Sequence, residues 1–397
     1  MIKNPAVNIL VIPDKFKGTL TANAAAQAIA HGWRKSRPRD SLTLLPMSDG
    51  GDGFGEVMGQ LLNAKIQKIK TVDAAHRKCE ARWWWAPRTR TAMIESASVI
   101  GLTKLPPGKF HPFELDTFGL GAVIRTAAEK GAKRCIIGIG GSATNDGGFG
   151  LARALGWKFL DRDDAPIERW IELHRLARIC QPKRTRWFRE LIVAVDVQNP
   201  LLGPRGATRV YGPQKGLRGD DFAFAEKNLR RLARVCSGGL GPPPLNQRRS
   251  SRLGGAAATP GAGAAGGLGF GLMTFLGAKM EPGFDLFANL AHLEKYIRAT
   301  DLVITGEGRI DESTFMGKGV GAIVRRGQKF KIPCIALAGN ISGRKGRAFV
   351  EMHALTDLTT VEKAKANPAH WLERLAAKTA KAVLAVPRSF PPGSSRV

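Results

Sequence analysis

The run Asn8-Ile-Leu-Val-Ile12 is followed at once by Pro13-Asp14-Lys15-Phe16-Lys17-Gly18, and then by an Ala-rich stretch that reaches about Trp33. A continuous apolar run is the pattern of a strand buried on both faces of a parallel sheet. The segment between Pro13 and Gly18 reads as a loop, and Thr19 or Thr21 can cap the helix that follows. The same order then repeats. A strand at Leu42–Leu45 leads into Pro46-Met47-Ser48-Asp49-Gly50-Gly51-Asp52-Gly53, and a helix runs on to about Leu62. Strand, loop and helix, twice in succession, predict an α/β fold.

Further along, residues 64–95 change character. Lys65–Val72 and Cys79–Trp85 alternate as antiparallel strands do. A helix at about Gly119–Lys130 feeds a strand at Cys135–Ile139, then the glycine-rich segment Gly140–Gly148, then a helix at about Phe149–Leu155. Leu191–Val197 reads as a strand that carries Asp196 at its end, and Ile167–Cys180 reads as helical. A late α/β run follows: a strand at Leu302–Thr305, a glycine-rich loop, a helix at about Val320–Lys329 and a strand at Cys334–Ala338. Ser237–Ala258, rich in Gly, Pro and Arg, reads as an exposed loop. No repeat at a fixed period is present.

The chain has 397 residues, 61 Lys and Arg against 33 Asp and Glu, and a formal net charge of +28. Its length suggests two or three domains. With 43% hydrophobic residues it is not a disordered chain, because disorder needs low hydrophobicity as well as charge. The basic excess admits a nucleic-acid binder, a membrane-surface binder or an enzyme that draws in anionic substrates. The interleaved aromatics and recognition motifs of nucleic-acid binders are missing, so no specific nucleic-acid partner is expected. The five Cys are odd in number and widely spaced, which argues against a disulfide framework and for a reducing, cytoplasmic location. The run Val7–Ile12 is too short for the apolar core of a signal peptide. Leu253–Ala278 is long and uncharged, but Gly, Ala, Pro and Thr dominate its first half, so no membrane partner is expected.

Five loops combine Gly with Asp, Lys, Ser or Thr: Pro13–Gly18, Ser48–Gly53, Gly138–Gly148, Tyr211–Gly216 and Thr305–Gly319. Loops at the carboxyl ends of parallel strands are where α/β sheets bind ligands. Glycine lets backbone N–H groups converge on an anion. Lys17, Lys215 and Lys318 can add point charges for phosphate. Asp14, Asp49, Asp196 and Asp311 are hard oxygen donors, suited to Mg²⁺ or to taking a proton from a hydroxyl. Taken singly, an Asp beside a Gly is usually a turn former or helix cap; taken together these are the parts of a phosphoryl-transfer site. A Walker A loop is excluded, because Gly317-Lys318 is followed by Gly319 rather than Ser or Thr. Gly138, Gly140 and Ala143 match a dinucleotide fingerprint, which keeps an NAD-dependent oxidoreductase as a rival reading. The intervening Ser142–Gly148 delays the helix that the fingerprint should open. No His spacing suits a zinc hydrolase, and Ser142 lacks the final Gly of a nucleophile elbow.

The chain resembles the type-1 glycerate kinase family. Pro13–Gly18 is similar to its opening P-D-S-F-K-G, with Lys15 in place of Ser, and Pro46–Gly53 to P-M-A-D-G-G-E-G. Gly138-Ile-Gly-Gly-Ser-Ala-Thr-Asn-Asp-Gly-Gly148 repeats the most specific family run unchanged. Asp196–Leu201, Tyr211–Gly216, Pro260–Gly267 and Thr305–Asp311 also match, in order. Departures stand at Leu120, at Glu312-Ser313, at Gly319-Val320, at Ile167–Cys180 and in the long Ser237–Ala258 segment. The resemblance implies a kinase that phosphorylates D-glycerate from ATP with Mg²⁺, giving 2-phosphoglycerate, with 3-phosphoglycerate as the alternative. It implies two α/β domains, one flavodoxin-like with a parallel sheet and a second inserted into it. The composition shift near residue 75 then places the first domain at 1–75 and 285–385 and the insert at 76–284, with the ligand cleft between them. A homodimer is left open.

On chemistry and motif position, Asp196 is the expected base, with Asp49 next. Lys17 and the loop Gly140, Gly141, Ser142, Ala143, Thr144, Asn145 and Asp146 are expected to bind phosphates or the glycerate carboxylate, helped by Asp14, Lys215, Gly306 and Lys318. Glu307 and Asp311 are expected to hold Mg²⁺, and Arg309 to neutralise developing charge.

Overall fold

The computed structural model describes residues 6–238, 255–315, 319–342 and 349–383. The chain divides into two compact units, Met1–Asp49 with Phe284–Val397, and Gly50–Gly283 between them. The second unit thus begins well before residue 75, because Lys65–Val72 pairs antiparallel with Lys78–Ala86 inside its sheet. A composition shift marked the middle of that sheet rather than its border.

The terminal unit holds a five-stranded sheet in the spatial order Glu351–Ala354, Cys334–Ala338, Leu302–Gly306, Asn8–Pro13 and Ser41–Leu44. Every neighbouring pair is parallel. Counted within this unit the order is 2-1-3-4-5, the flavodoxin-like arrangement. It reverses between Asn8–Pro13 and Leu302–Gly306, and the crevice at the carboxyl ends of such a strand pair is where doubly wound sheets take ligands. Ile9, Leu10, Val11 and Ile12 are all buried, as the unbroken apolar run requires. Thr21, not Thr19, caps the helix Ala22–Ser36, its hydroxyl accepting from the Ala24 N–H at 3.1 Å. Thr19 instead donates to the Phe16 carbonyl within the loop, at 2.8 Å.

The inserted unit holds a six-stranded mixed sheet, ordered Lys279–Glu281, Glu190–Ala194, Arg134–Gly138, Thr91–Glu95, Lys78–Ala86 and Lys65–Val72. The first four strands are mutually parallel and the last two run antiparallel. Its core is built on Ile94, Val123, Cys135, Phe149, Leu191, Leu229 and Phe270.

Two local expectations are corrected. Ile167–Cys180 is not one helix: a 3-10 turn spans Trp170–Arg175, and Arg178–Cys180 pairs antiparallel with Lys158–Leu160. Tyr211–Gly216 is not a loop after a strand but the end of the helix Ala207–Lys215, with Gly216 as its left-handed cap. Most of Ser237–Ala258 lies outside the described residues. Among the described residues, no helix is long and apolar enough to cross a membrane.

Candidate active site

At the reversal point of the terminal unit, Asp14 follows the first strand and Glu307 follows Leu302–Gly306. Hydrogen bonding locks the two loops together, since the Asp14 N–H donates to the Gly306 carbonyl at 2.8 Å. The Lys15 N–H returns to Asp14 Oδ1 at 2.7 Å. Burial pushes the Asp14 carboxyl up to about 7, the charges of Asp49 and Glu307 add to the rise, and Lys15 opposes it. Lys15 Nζ lies 3.5 Å from Asp49 Oδ1, so the lysine that replaces the family's Ser partly neutralises this group. Thr314 is the side chain the sequence did not single out. Its hydroxyl donates to Glu307 Oε1 at 2.8 Å and accepts from the Asp311 N–H at 3.2 Å, fixing both acidic residues of the late loop.

Other expected members sit differently. Arg309 is exposed and lies 3.4 Å from Asp311 Oδ2 and 3.3 Å from Ser342 Oγ. Lys17 is exposed on the first loop, and Lys318 lies outside the described residues.

In the inserted unit the segment Ile139–Gly148 separates the strand Arg134–Gly138 from the helix Phe149–Ala154. No helix starts within Gly138–Ala143, whereas a dinucleotide fingerprint needs one to open there. The loop is tied down along its length. Gly140 N–H donates to the Gly50 carbonyl at 3.3 Å, and a Cβ there would stand 2.6 Å from the Gly51 Cα. Ser142 Oγ and Thr144 Oγ1 are 2.9 Å apart, and Ala143 N–H donates to the Ile100 carbonyl at 2.8 Å. Asn145 Nδ2 donates to Thr208 Oγ1 at 3.1 Å, while the buried Asn145 Oδ1 has no protein partner. Glu95, another residue the sequence reading passed over, accepts from the N–H groups of Gly53 and Gly55 at 3.1 and 3.0 Å, anchoring the loop Ser48–Gly53.

Asp146 and Lys215 turn inward. Asp146 is fully buried and accepts from Thr117 N–H (2.9 Å), Thr117 Oγ1 (2.7 Å), Gly148 N–H (3.2 Å) and Gly150 N–H (2.9 Å). Burial raises its carboxyl to about 6, with Asp116 adding to the rise and these hydrogen bonds opposing it. Lys215 donates to the Thr144 carbonyl at 2.6 Å. Burial lowers its ammonium to about 7, against the pull of Asp146. Both side chains therefore brace the loop from inside.

The loop is also clamped from behind. Gly266 accepts from the Gly147 N–H at 3.0 Å, has φ +68°, and would place a Cβ 1.9 Å from the Thr144 carbonyl oxygen. Gly266→Ala is expected to cost at least about 2 kcal/mol from left-handed strain and overpacking. Thermal unfolding would show it, and an unchanged Tm would remove the clamp. Asp196 lies two residues beyond the strand Glu190–Ala194, in the same unit.

The terminal unit carries a carboxylate cluster at its sheet reversal, and the inserted unit carries a glycine loop with a buried amide oxygen that has no protein partner. The model of the glycerate kinase family matches residues 9–384, and the chain belongs to that family and is a kinase. It is 37% identical to a glycerate kinase of Halalkalibacterium halodurans over 84% of this chain and 85% of that protein. It is 36% identical to the glycerate kinase of Bacillus subtilis over 95% and 98%. The glycerate 2-kinase of Escherichia coli is 35% identical over 89% of this chain and 90% of its own. A crystal structure from Salmonella typhimurium LT2, of a protein provisionally named glycerate kinase 2, superposes with a TM-score of 0.78 at 32% identity, covering 96% and 98% of the two chains.

Proposed function

We propose that this kinase transfers the γ-phosphoryl group of ATP to D-glycerate and yields 2-phosphoglycerate. The family match supports the substrate, and the Escherichia coli relative, named a glycerate 2-kinase, supports the position. The structural observation that carries the reading is the carboxylate group Asp14, Asp49 and Glu307 at the sheet reversal, where burial raises the Asp14 carboxyl and the charges of Asp49 and Glu307 add to the rise.

Carboxylates of the late loop are hard oxygen donors suited to a divalent cation. Among the described residues no three His, Cys, Asp or Glu side chains form a ready metal cage. Mg²⁺ is commonly held by one or two carboxylates together with phosphates. Glu307 and Asp311, both tied to the Thr314 hydroxyl, would hold Mg²⁺. When bound, Mg²⁺ neutralises charge on the transferring phosphates. In this chain Lys17 and Arg309, both exposed, would draw in the anionic substrates, and the loop Gly140–Asn145 would fix them. Asn145 Oδ1 fits a hydroxyl donor from the acid, and Asp196 would take the proton of the attacking hydroxyl.

The test is initial-rate ADP release with D-glycerate against a blank without it. No release above the blank would refute the substrate. A second expectation concerns Asp14 itself. Its folded value near 7 lies above the ordinary 3.8, so the folded state holds a proton longer than the unfolded state. Stability is then lost as pH rises from about 4 to about 7. Asp14→Asn should raise Tm at pH 8 in metal-free buffer and change it little at pH 4. An equal shift at both would contradict the burial argument.

A further inference from the structure

The amino ends of three parallel strands of the inserted unit border a cavity of about 830 Å³. Arg134, Glu190 and Lys279 each open one of these strands. The glycine loop leaves the opposite end of Arg134–Gly138, roughly 15 Å away at about 3.3 Å per residue. The cavity is therefore separate from the loop that would bind substrate.

Five cations line it, Lys133, Arg134, Arg186, Arg189 and Lys279, against a single carboxylate, Glu190. Glu190 is taken up by Arg134, at 2.8 Å. Among the described residues no ion pair takes up Lys133, Arg186, Arg189 or Lys279, so four of the five lining cations have no carboxylate partner. The wall is held in place by backbone bonds: the N–H groups of Arg189 and Glu190 donate to the Lys133 carbonyl at 2.8 and 3.2 Å. Arg184 stacks over Trp187 at 4.2 Å, so the indole takes up that guanidinium while Arg186 and Arg189 line the cavity. The base of the cavity is apolar, with Trp157, Phe188 and Phe275 each nearly buried. Thr274 Oγ1, also in the lining, is buried without a protein partner.

Unneutralised cations concentrated in a concave site attract a polyanion and form charge-assisted hydrogen bonds with phosphoryl oxygens. The edges of Trp157, Phe188 and Phe275 in the lining leave an apolar floor for the less polar part of such a ligand. The volume falls in the range of small-molecule sites and far exceeds one phosphate. We propose that this cavity is a second ligand site, taking a nucleoside polyphosphate. The basic segment Gln181–Arg189, which lies outside every motif of the candidate active site, then acquires a role.

The test is a count of ADP bound per chain by equilibrium dialysis of the full-length protein, with no glycerate present. The count is expected to fall by one from wild type to Arg186→Glu/Arg189→Glu, or affinity at that site to weaken at least tenfold. Arg186→Lys/Arg189→Lys should keep the wild-type count, which separates loss of charge from misfolding. The charge-reversed variant should keep its rate at saturating ATP within about twofold. Equal counts and affinities in wild type and the charge-reversed variant would overturn the proposal, whatever acid the enzyme phosphorylates.

Discussion

Asp146→Ala is expected to lower stability by about 3–5 kcal/mol, the range for removing one partner of a buried charged network. The N–H groups of Thr117, Gly148 and Gly150 would lose their shared acceptor in a site with no access to water. Each unsatisfied donor costs about 1–3 kcal/mol. The inserted unit is large, so the Tm should fall by roughly 10 °C, at about 2–4 °C per kcal/mol. Lys215 would suffer as well. Its ammonium already sits near 7 through burial, and Asp146 is the charge that holds it up. Without that carboxylate the lysine would become neutral at pH 7 and its bond to the Thr144 carbonyl would weaken. Unfolding followed by tryptophan fluorescence would check this. A Tm within 2 °C of wild type would show that the loop is not built around Asp146.

Asp196→Asn should reduce kcat by about 10²–10⁴ with little change in Tm, the range for loss of a positioned general base. The amide is isosteric but cannot take up the hydroxyl proton. The expected pattern is a fall in kcat at a KM for ATP within a few fold. An undiminished kcat would move the proton-accepting role to another carboxylate, with Asp49 the next to test.

Much of this fold was legible in the sequence because it rests on unbroken apolar runs. Asn8–Pro13 and Cys334–Ala338 are buried on both faces, and a strand of that kind has no polar alternation to confuse it. The helix Ala207–Lys215 was not legible, since Gly212 and Pro213 are loop residues by local propensity. Tertiary packing overrides them: Gly212 closes on Leu217, and Lys215 is anchored to the Thr144 carbonyl. The same limit applies to the site. The motif Gly138–Gly148 stands out in the sequence, but no sequence signal separates Asp146, which staples that loop, from Asp14, which stands in a carboxylate cluster. Both are an Asp in a turn-rich segment. The hydrogen bonds from Thr117 and Gly150 make the difference, and those partners lie 29 and four residues away. Thr314 and Glu95 escaped notice because each acts through a neighbour rather than through chemistry of its own.

The net charge of +28 also changes meaning. One of its dense segments, Gln181–Arg189, contributes to a cavity wall. A long-range field of this sign would also speed the arrival of anionic substrates, an effect that salt screens.

The most direct test of the proposed reaction is proton-coupled phosphorus NMR of the product formed from ATP and D-glycerate. Phosphate on the 2-hydroxyl couples to one methine proton and should give a doublet, which is the expected spectrum. A triplet from a methylene neighbour would place the phosphate on the 3-hydroxyl, and the absence of any new phosphomonoester signal would contradict the proposed reaction itself.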